Sequence, residues 1–456
     1  MIERLVIFGA TGDLSARYLL PGLVALRDQG HLGDGFRVIG VSREDRSDDQ
    51  FRDWVAEQLD RYAAGYPAEA RQFVVGRSSY RKADVTDPAA VAPVIAGGGP
   101  VAAYLALPPS IFGAAVTALH RADLPPGSTI VLEKPFGEDL AQAEQLNSLL
   151  AGVIDEESIF RVDHFLAMTT VQNLLGTRLA NRIIEPIWNS AHIAEIEIIW
   201  DETLALEGRA GYYDGVGALK DMLQNHLLQL LCLVAMEPPV SLDARDLRDR
   251  KVDVLRSIRA LDDTQVRQRT RRARYSAGTI YGRAIPAYVD EDGVDPDHAT
   301  ETYAEIELQI DNWRWADTLF RMRTGKALGN NRMEVAVHFR PVPHLPAGFD
   351  GDVAPNVLRF ELDPEGVIIE LTGIGSQVRS FAPMKLAAEL DQPALPAYGR
   401  LLLDVFQRNA TLSIRGDEAE ESWRVMEPVI TAWAQDRVPL EEYPAGSDGP
   451  GRSRLR

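Results

Sequence analysis

The amino-acid sequence predicts two domains of different fold class: an α/β domain with a doubly wound parallel sheet, then an α+β domain with a large, mostly antiparallel sheet and helices. The chain has 456 residues, more than one hydrophobic core usually supports. Apolar runs alternate with amphipathic stretches at first, whereas after about residue 165 strands with alternating apolar and polar residues dominate. We therefore place the domains at 1–165 and 166–443, followed by a tail at 444–456 with the composition of disorder.

The elements of the first domain follow from its buried runs. Parallel strands covered on both faces are continuously apolar, and helices connect them. The sequence has such runs at 4–9, 37–42, 101–107 and 129–134. Helical patterns lie between them at 14–29, 47–64 and 110–122. This strand–helix alternation predicts the doubly wound sheet.

In the second domain, a period of two predicts strands with one buried and one solvated face. These strands are 195–200, 303–310, 333–339, 357–362 and 366–371. Helices are predicted at 168–181, 215–236, 397–409 and 417–435. The polar, irregular stretch 270–299 predicts a loop.

Charge and composition exclude several classes of function. The net charge of −19 disfavours a general nucleic-acid binder, because phosphates would be repelled. The only cysteine, Cys232, excludes an internal disulfide and a cysteine-based zinc site, and we expect no metal. The N-terminal residues lack an export-signal pattern, and the longest apolar run, 227–236, is too short to span a bilayer. We expect a cytoplasmic protein without a membrane or nucleic-acid partner.

The stretch LVIFGATGDL places Gly9 and Gly12 between the first strand and a helix. Glycines there let the backbone approach a pyrophosphate, and the helix N-terminus supplies N–H donors. The spacing differs from the usual G-x-G-x-x-G, so a tight turn without a ligand remains an alternative.

The end of the second strand, GVSREDR, bears on cofactor choice. An arginine there accommodates the 2′-phosphate of NADP, whereas an acid binds the free ribose hydroxyl of NAD. Arg43 favours NADP and Arg46 could assist, although Glu44 would repel a phosphate. The alternative is that all three are solvated loop charges.

Two further stretches carry candidate catalytic residues. His226 lies on an apolar helical stretch, 217–231, where it could act as a base with a carboxylate such as Asp163 on its other nitrogen. The alternative is a hydrogen-bonded core histidine. Lys134 ends a strand, where parallel sheets bind ligands, and it is one of only six lysines. The alternative is a surface lysine.

Long stretches of the chain resemble the glucose-6-phosphate dehydrogenase family. They include FGATGDLSARYLLPGL (8–23), VLEKPFGEDLAQA (131–143), FRVDHFL (160–166), the run 207–239 that contains DMLQNHLLQLL, and RTGKAL (323–328). The resemblance implies a Rossmann domain that binds NADP and a second domain that binds the sugar and forms a homodimer or homotetramer through its sheet. It also implies oxidation of a hexose at C1 to the lactone.

The resemblance assigns roles to individual residues. His226 matches the general base and Asp163 its carboxylate partner. The sugar contacts are Lys134, His164, Glu202, Asp221 and Lys326. The cofactor contacts are Gly9, Thr11, Gly12, Asp13, Leu14, Arg43, Asp84, Val85, Pro108 and, again, Lys134.

One part of the family pattern is altered. The family's phosphate clamp reads His-Tyr-Leu-Gly-Lys, with another cation five positions after the lysine of RTGK. Here Phe165 replaces the tyrosine, and Met168 and Asn331 replace the two cations. Either nearby arginines (Arg178, Arg182 or Arg332) rebuild the pocket for glucose 6-phosphate, or C6 of the substrate carries no phosphate.

Two other functions remain open from the sequence. Another sugar oxidoreductase, of the inositol-dehydrogenase-like type, also carries Glu-Lys-Pro after a Rossmann strand, although QNHLLQLL and RTGKAL argue against it. A silent NADP-binding paralogue is disfavoured because His226, Asp163 and Lys134 are all present.

Overall fold

The computed structural model describes residues 1–208, 210–349, 353–376, 380–391 and 393–451. The chain forms two compact units, each built from three segments. Unit 1 contains Met1–Ala167, Pro239–Asp249 and Gln392–Glu420, and unit 2 contains Met168–Pro238, Arg250–Asp391 and Glu421–Arg456. The end of the first segment lies close to the predicted boundary, whereas Pro239–Asp249 and Gln392–Glu420 differ from our prediction, which placed both in the second domain.

Unit 1 is built on a six-stranded, all-parallel sheet. Its strands are β1 (Arg4–Phe8), β2 (Arg37–Ser42), β3 (Ser78–Lys82), β4 (Ala102–Leu105), β5 (Thr129–Glu133) and β6 (Ile159–Val162). Their order is β3-β2-β1-β4-β5-β6, and each neighbouring pair is parallel. This arrangement confirms the predicted doubly wound sheet, with the strand order reversing beside β1.

Helices connect these strands. They are α1 (Leu20–Asp28), α2 (Asp48–Tyr62), α3 (Ala68–Arg77), α4 (Pro88–Ile95), α5 (Phe112–Arg121) and α6 (Leu140–Ala151). A π-helical turn, Ser15–Leu19, precedes α1. Helix α2 starts with a capping box in which Ser47 and Gln50 satisfy each other's backbone N–H groups.

The later segment Gln392–Glu420 contains the helix Ala397–Gln407. It belongs to unit 1 because the apolar face of this helix packs against the core of that unit. Leu402, Val405 and Phe406 are buried in the same core as β1 and α1. The backbone of Ile2 also donates a 2.8 Å hydrogen bond to Phe406 O. The sequence predicts this helix, but it does not indicate which of the two units buries the apolar face of the helix.

Unit 2 is built on a nine-stranded sheet. Its strands are β7 (Ile193–Asp201), β8 (Thr270–Ser276), β11 (Tyr303–Leu308), β12 (Leu319–Gly325), β13 (Arg332–Phe339), β14 (Val357–Leu362), β15 (Glu365–Ile374), β16 (Phe381–Glu389) and β17 (Leu440–Pro444). The order is β16-β15-β14-β13-β7-β12-β11-β8-β17. Within this sheet, only β7–β12 and β8–β17 pair in parallel among the described strands, which confirms the mostly antiparallel sheet. A separate hairpin joins β9 (Gly278–Ile280) and β10 (Arg283–Ile285).

The remaining helices follow the predicted pattern, with additions. They are α7 (Thr169–Leu179), α8 (Ala210–Tyr213), α9 (Leu228–Ala235), α10 (Ala244–Ser257), α11 (Asp263–Arg269), α12 (Ala397–Gln407) and α13 (Gly416–Ala434). The segment Leu219–Leu227, directly before α9, is π-helical. None of the described helices is long and apolar enough to cross a membrane.

The predicted loop at 270–299 was wrong. Its first residues form β8, a strand rich in arginine. Arg271 pairs with Glu441 at 2.7 Å, and Arg272 donates to Val438 O at 2.8 Å and to Asp436 at 2.7 Å. These partners lie far along the sequence, so the polarity of the stretch hid a strand.

The predicted tail also differs in the structure. Residue Pro444 ends β17 opposite Ser276 of β8, and residues 445–447 continue with hydrogen bonds to distant backbone of the same unit. The backbone of Thr279, for example, donates to Ala445 O at 3.1 Å. Pairing with distant backbone therefore orders a segment whose composition resembles disorder. Residues 452–456 lie outside the described part of the chain.

Candidate active site

The turn after β1 requires glycine. Gly9 has a φ of +86°, and a Cβ atom there would lie 2.1 Å from Ala106 O, after the end of β4. The backbone of Gly12 donates to Gly9 O at 3.1 Å, which closes the turn. The missing side chain thus lets two strand ends approach each other and leaves the backbone exposed to a ligand.

A cleft of about 620 Å³ opens beside this turn in unit 1. It lies at the carboxyl ends of the parallel strands, the usual place for a ligand in such sheets. Predicted cofactor residues on its wall are Gly9, Arg43, Asp84, Val85 and Pro108, and Ser42, Glu44, Thr86 and Ser110 also line it.

The other predicted residues of the turn have identifiable positions. Thr11 donates its hydroxyl to Glu44 Oε1 at 3.2 Å, and Asp13 pairs with Arg17 at 3.4 Å. Leu14 packs against the hydrophobic core. The structure therefore assigns Asp13 and Leu14 to the start of the helix.

The two arginines after β2 differ in whether they are paired with an acid. Glu44 pairs with Arg46 at 2.7 Å, so its repulsion of a phosphate is reduced. Within the part of the chain that the structure describes, exposed Arg43 has no hydrogen-bond or ion-pair partner. Asp84, across the cleft, accepts the backbone N–H and hydroxyl of Thr86, and these hydrogen bonds lower its pKa. Arg43 is therefore available to an incoming anion, whereas Arg46 is not.

Lys134 follows the last residue of β5. Its neighbour Glu133 accepts a hydrogen bond from the Tyr104 hydroxyl and another from Tyr398. Burial raises the pKa of Glu133 to about 7, against the opposing effects of these hydrogen bonds and of the Lys134 charge. Lys134 thus stands beside a carboxyl group that is largely protonated below neutral pH.

Asp163 and His164 follow β6 in the same way. The buried Asp163 accepts the backbone N–H of Phe165 through Oδ1 at 3.0 Å. The ring of His164 stacks on Tyr398, with centroids 5.7 Å apart, and meets the edge of Phe165 at 5.0 Å. Phe165 is itself buried. An aromatic cluster therefore fixes the orientation of His164.

In unit 2, Asp221 and His226 both lie on the π-helical segment Leu219–Leu227. Such wide turns are rare and are frequently found at functional sites. His226 is only 1% exposed, and its backbone N–H donates to Asn225 Oδ1 at 2.6 Å. Asp221 accepts the hydroxyl of Tyr212 at 3.2 Å.

Glu202 and Lys326, which are distant in sequence, form an ion pair of 2.8 Å in unit 2. The Lys326 ammonium also lies 5.3 Å from the ring centroid of Tyr213. Burial and the nearby Asp221 carboxylate raise the pKa of Tyr213. Lys326 and Asp221 thus lie near one buried tyrosine, and the ion pair holds Glu202 beside Lys326, so three residues that the sequence analysis assigned to the sugar lie in one region of unit 2.

The altered clamp positions also have structural partners. Asn331 accepts the backbone N–H of Thr203 at 2.7 Å, so its amide holds the turn next to Glu202. Buried Arg178 donates to Leu233 O and Met236 O, both at 2.8 Å.

Arg332 pairs with Glu334 at 2.7 Å and with Glu197 at 3.3 Å. Arg178 and Arg332, two of the three arginines considered for rebuilding the clamp, are therefore committed to other groups. Arg182 is exposed.

Tyr213, Glu133 and Tyr398 were missed by the sequence analysis. Tyr213 stands in GYYDG and Glu133 directly precedes Lys134, so adjacency to quoted motifs could have indicated both. Tyr398 lies in AYGRLLLDVF, more than 200 residues from His164. No local pattern indicates that contact.

Comparisons with known proteins agree along the whole chain. Residues 6–173 match the family model "Glucose-6-phosphate dehydrogenase, NAD binding domain", and residues 175–455 match "Glucose-6-phosphate dehydrogenase, C-terminal domain". Glucose-6-phosphate 1-dehydrogenase of Zymomonas mobilis is 38% identical over 98% of this chain and 96% of its own.

Two solved structures are similar in fold. The crystal structure of glucose-6-phosphate 1-dehydrogenase from Mycobacterium avium is 35% identical, with a TM-score of 0.87 over 99% of this chain and 95% of that one. A glucose-6-phosphate dehydrogenase in complex with glucose 6-phosphate is 28% identical, with a TM-score of 0.89 over 99% of this chain and 96% of that one.

Proposed function

Because this chain belongs to the glucose-6-phosphate dehydrogenase family, we propose that it oxidises glucose 6-phosphate at C1 to the 1,5-lactone, with NADP as hydride acceptor. One observation carries the proposal: the two family models together cover residues 6–173 and 175–455. The reaction is the family's step in the oxidative pentose phosphate pathway. Membership disfavours the inositol-dehydrogenase-like alternative.

The cleft of unit 1 fits the cofactor. Gly9 lines the cleft and has no side chain, so a pyrophosphate could approach the backbone of the turn. Among the described residues Arg43 has no hydrogen-bond or ion-pair partner, so its guanidinium could bind the 2′-phosphate, while Arg46 neutralises Glu44. When bound, NADP supplies the acceptor for the hydride from C1 of the sugar.

We assign the general base to His226. As the hydride leaves C1, the bond between the C1 oxygen and its proton breaks, and the imidazole takes that proton. Asp163 stabilises the resulting imidazolium, as a carboxylate does in other histidine-based catalysts. The near-complete burial of both side chains supports these roles, because water competes little for their hydrogen bonds.

The remaining assignments concern the sugar. Glu202, Asp221 and Lys326 bind its hydroxyls, and the Glu202–Lys326 ion pair fixes both side chains before the sugar arrives. Lys134 contacts both sugar and cofactor, and its place at the end of β5 supports this role. His164 contacts the phosphate, held by its stacking on Tyr398.

The phosphate end remains the weakest part of the substrate site. Met168 and Asn331 bring no charge, and Arg178 and Arg332 are paired elsewhere. We expect glucose 6-phosphate to bind with a KM above the ~1 mM upper end of the usual range. A sugar without phosphate at C6 is not favoured by the family comparison.

We extend the proposal to assembly and location. The family resemblance implies a homodimer or homotetramer formed through the nine-stranded sheet of unit 2, and a cytoplasmic enzyme. Light scattering of the purified chain at several concentrations would measure the assembly.

Initial rates over a panel of sugars test the function. The panel contains glucose 6-phosphate, glucose and inositol, each with NADP and with NAD. We expect NADPH formation with glucose 6-phosphate and little with inositol. Turnover of inositol alone would support the inositol-dehydrogenase-like function, and absence of turnover with every sugar would indicate the silent paralogue.

A further inference from the structure

The end of β17 and the segment that follows it lie beside the loop that carries Lys326. We call residues 443–451 the C-terminal strap and residues 325–329 the lysine loop. The lysine loop follows β12, and its backbone N–H groups donate to other parts of unit 2. Lys326 N donates to Thr302 O at 2.9 Å, Ala327 N to Leu204 O at 2.8 Å and Leu328 N to Glu202 O at 2.9 Å.

The strap provides the remaining partners of the lysine loop. The Tyr443 hydroxyl donates to Lys326 O at 2.6 Å. The backbone of Gly446 donates to Ala327 O at 2.8 Å. In the other direction, Gly329 N donates to Ser447 O at 2.9 Å. Three hydrogen bonds, at Lys326, Ala327 and Gly329, therefore join the loop to the strap.

Close packing leaves the strap little freedom to move. A Cβ atom on Gly329 would lie 2.6 Å from Gly446 O. Gly446 has a φ of +85°, and its own Cβ would lie 2.0 Å from Thr279 O. Glycine at both positions lets three backbone segments touch, so the register of the strap against the loop is fixed.

Tyr443 is the side chain at this junction. It is fully buried, and its hydroxyl also lies 2.8 Å from Thr302 Oγ1. Because the phenol has one proton, and the shortest contact is with Lys326 O, Thr302 acts as the donor to Tyr443. Burial raises the pKa of Tyr443, so the hydroxyl keeps its proton and donates throughout the working pH range.

We propose that Tyr443 is a positioning residue for Lys326, and that the C-terminal strap sets the affinity of the enzyme for its sugar. Tyr443 fixes the backbone of Lys326, while Glu202 and the ring of Tyr213 fix its ammonium group. The inference rests on the proposed role of Lys326 at the sugar.

Tyr443→Phe removes the hydroxyl and keeps the ring. Loss of one hydrogen bond that positions a binding group should raise the KM for glucose 6-phosphate roughly 3- to 10-fold. The kcat and the KM for NADP should change by less than about twofold, because Lys326 takes no proton in the reaction. If Tyr443 had only a structural role, Tyr443→Phe would lower the melting temperature without raising the KM for glucose 6-phosphate more than the KM for NADP.

Tyr288→Phe is the matched control. Tyr288 is buried in the same cluster of unit 2, and its hydroxyl donates to Asp214 at 2.8 Å. Asp214 keeps other donors, among them His298 and Thr300. This variant should leave the KM for the sugar unchanged.

A double-mutant cycle with Lys326→Ala decides whether Tyr443 acts through Lys326. Lys326→Ala should raise the KM for the sugar, and Tyr443→Phe should then add almost nothing. An equal rise from Tyr443→Phe in both backgrounds, or no rise in either, would overturn the inference. If Lys326→Ala leaves the KM unchanged, the sugar-binding role of Lys326 is itself wrong.

Discussion

The cofactor cleft of unit 1 and the sugar residues of unit 2 are built by different means. The cleft depends on short, local stretches: a glycine turn after β1 and an arginine after β2. The sugar residues depend on pairs that are distant in sequence, such as Glu202 with Lys326 and Asn331 with Thr203. The cofactor residues are positioned by the ends of the strands that carry them, whereas the sugar residues are positioned by contacts with other side chains.

This difference has a consequence for tolerance to substitution. A residue at a strand end depends mainly on its own backbone, so replacing it should affect one contact. A residue such as Lys326 depends on Glu202, Tyr213 and Tyr443 together, so several substitutions should converge on the same kinetic constant.

The largest effect is expected at the base. His226→Asn should lower kcat by at least about 100-fold, since no proton acceptor of suitable pKa remains. The dissociation constant for NADP, measured by fluorescence titration, should change little because His226 lies in unit 2. Near-normal turnover would show that another group takes the proton.

A smaller effect is expected in the cofactor cleft. Arg43→Ala should lower kcat/KM for NADP by ~10- to 100-fold, the usual worth of one charge-assisted contact. The kcat/KM for NAD should hardly change. Steady-state kinetics with both cofactors would measure the two values.

Glu44→Gln provides the control for this comparison. Glu44 is paired with Arg46, so removing its charge should alter NADP preference less than Arg43→Ala does. Equal losses for NADP and NAD in Arg43→Ala would contradict the assignment of Arg43 to the 2′-phosphate.

At the phosphate end, Met168→Lys should lower the KM for glucose 6-phosphate by about tenfold, because it adds one cation. Met168→Gln adds polarity without charge and should leave the KM nearly unchanged. Asn331→Lys is a less clean test, since it also removes the hydrogen bond from Thr203 N. A micromolar KM in the unmodified enzyme would mean that other groups already hold the phosphate.

The smallest effect concerns stability near Glu133. The pKa of this carboxyl is about 7 in the folded chain and about 4.5 ordinarily, so the folded state holds the proton more tightly. Its contribution to stability is complete below about pH 4.5 and is lost as the pH rises through 7. The free energy of unfolding, measured with urea, should therefore decrease less between about pH 4.5 and 7 in Glu133→Gln than in the unmodified chain.

Exposed Glu138 provides a control in the turn that follows Lys134. Glu138→Gln should keep the pH dependence of the unmodified chain. If Glu133→Gln also keeps it, another group causes the fall in stability with pH.

Local sequence predicted most of unit 1. Strands β1, β2, β4 and β5 are continuous apolar runs, so their burial on both faces is visible in the sequence. Strand β3 (SSYRK) was missed because it is short and polar. It pairs with β2 and is held in part by the Tyr80 hydroxyl, which lies 2.7 Å from Ser42 Oγ.

In unit 2, the same method found five strands with clean alternation and missed others, among them β12. Strand β12 carries Arg321 and Arg323, which pair with acids on neighbouring strands, including Glu307 and Asp201. No local pattern indicates that these arginines will pair with acids on neighbouring strands. The order of the C-terminal strap was not predicted for a similar reason: its hydrogen-bond partners are backbone groups that are distant in the sequence.

The central claim is that a hydride moves from C1 of glucose 6-phosphate to NADP. Glucose 6-phosphate deuterated at C1 tests it most directly, with NADPH analysed by mass spectrometry. We predict that each NADPH formed carries one deuterium, transferred from the C1 carbon as the lactone forms. NADPH without deuterium, formed at a normal rate, would mean that oxidation takes place at another carbon and would contradict the account.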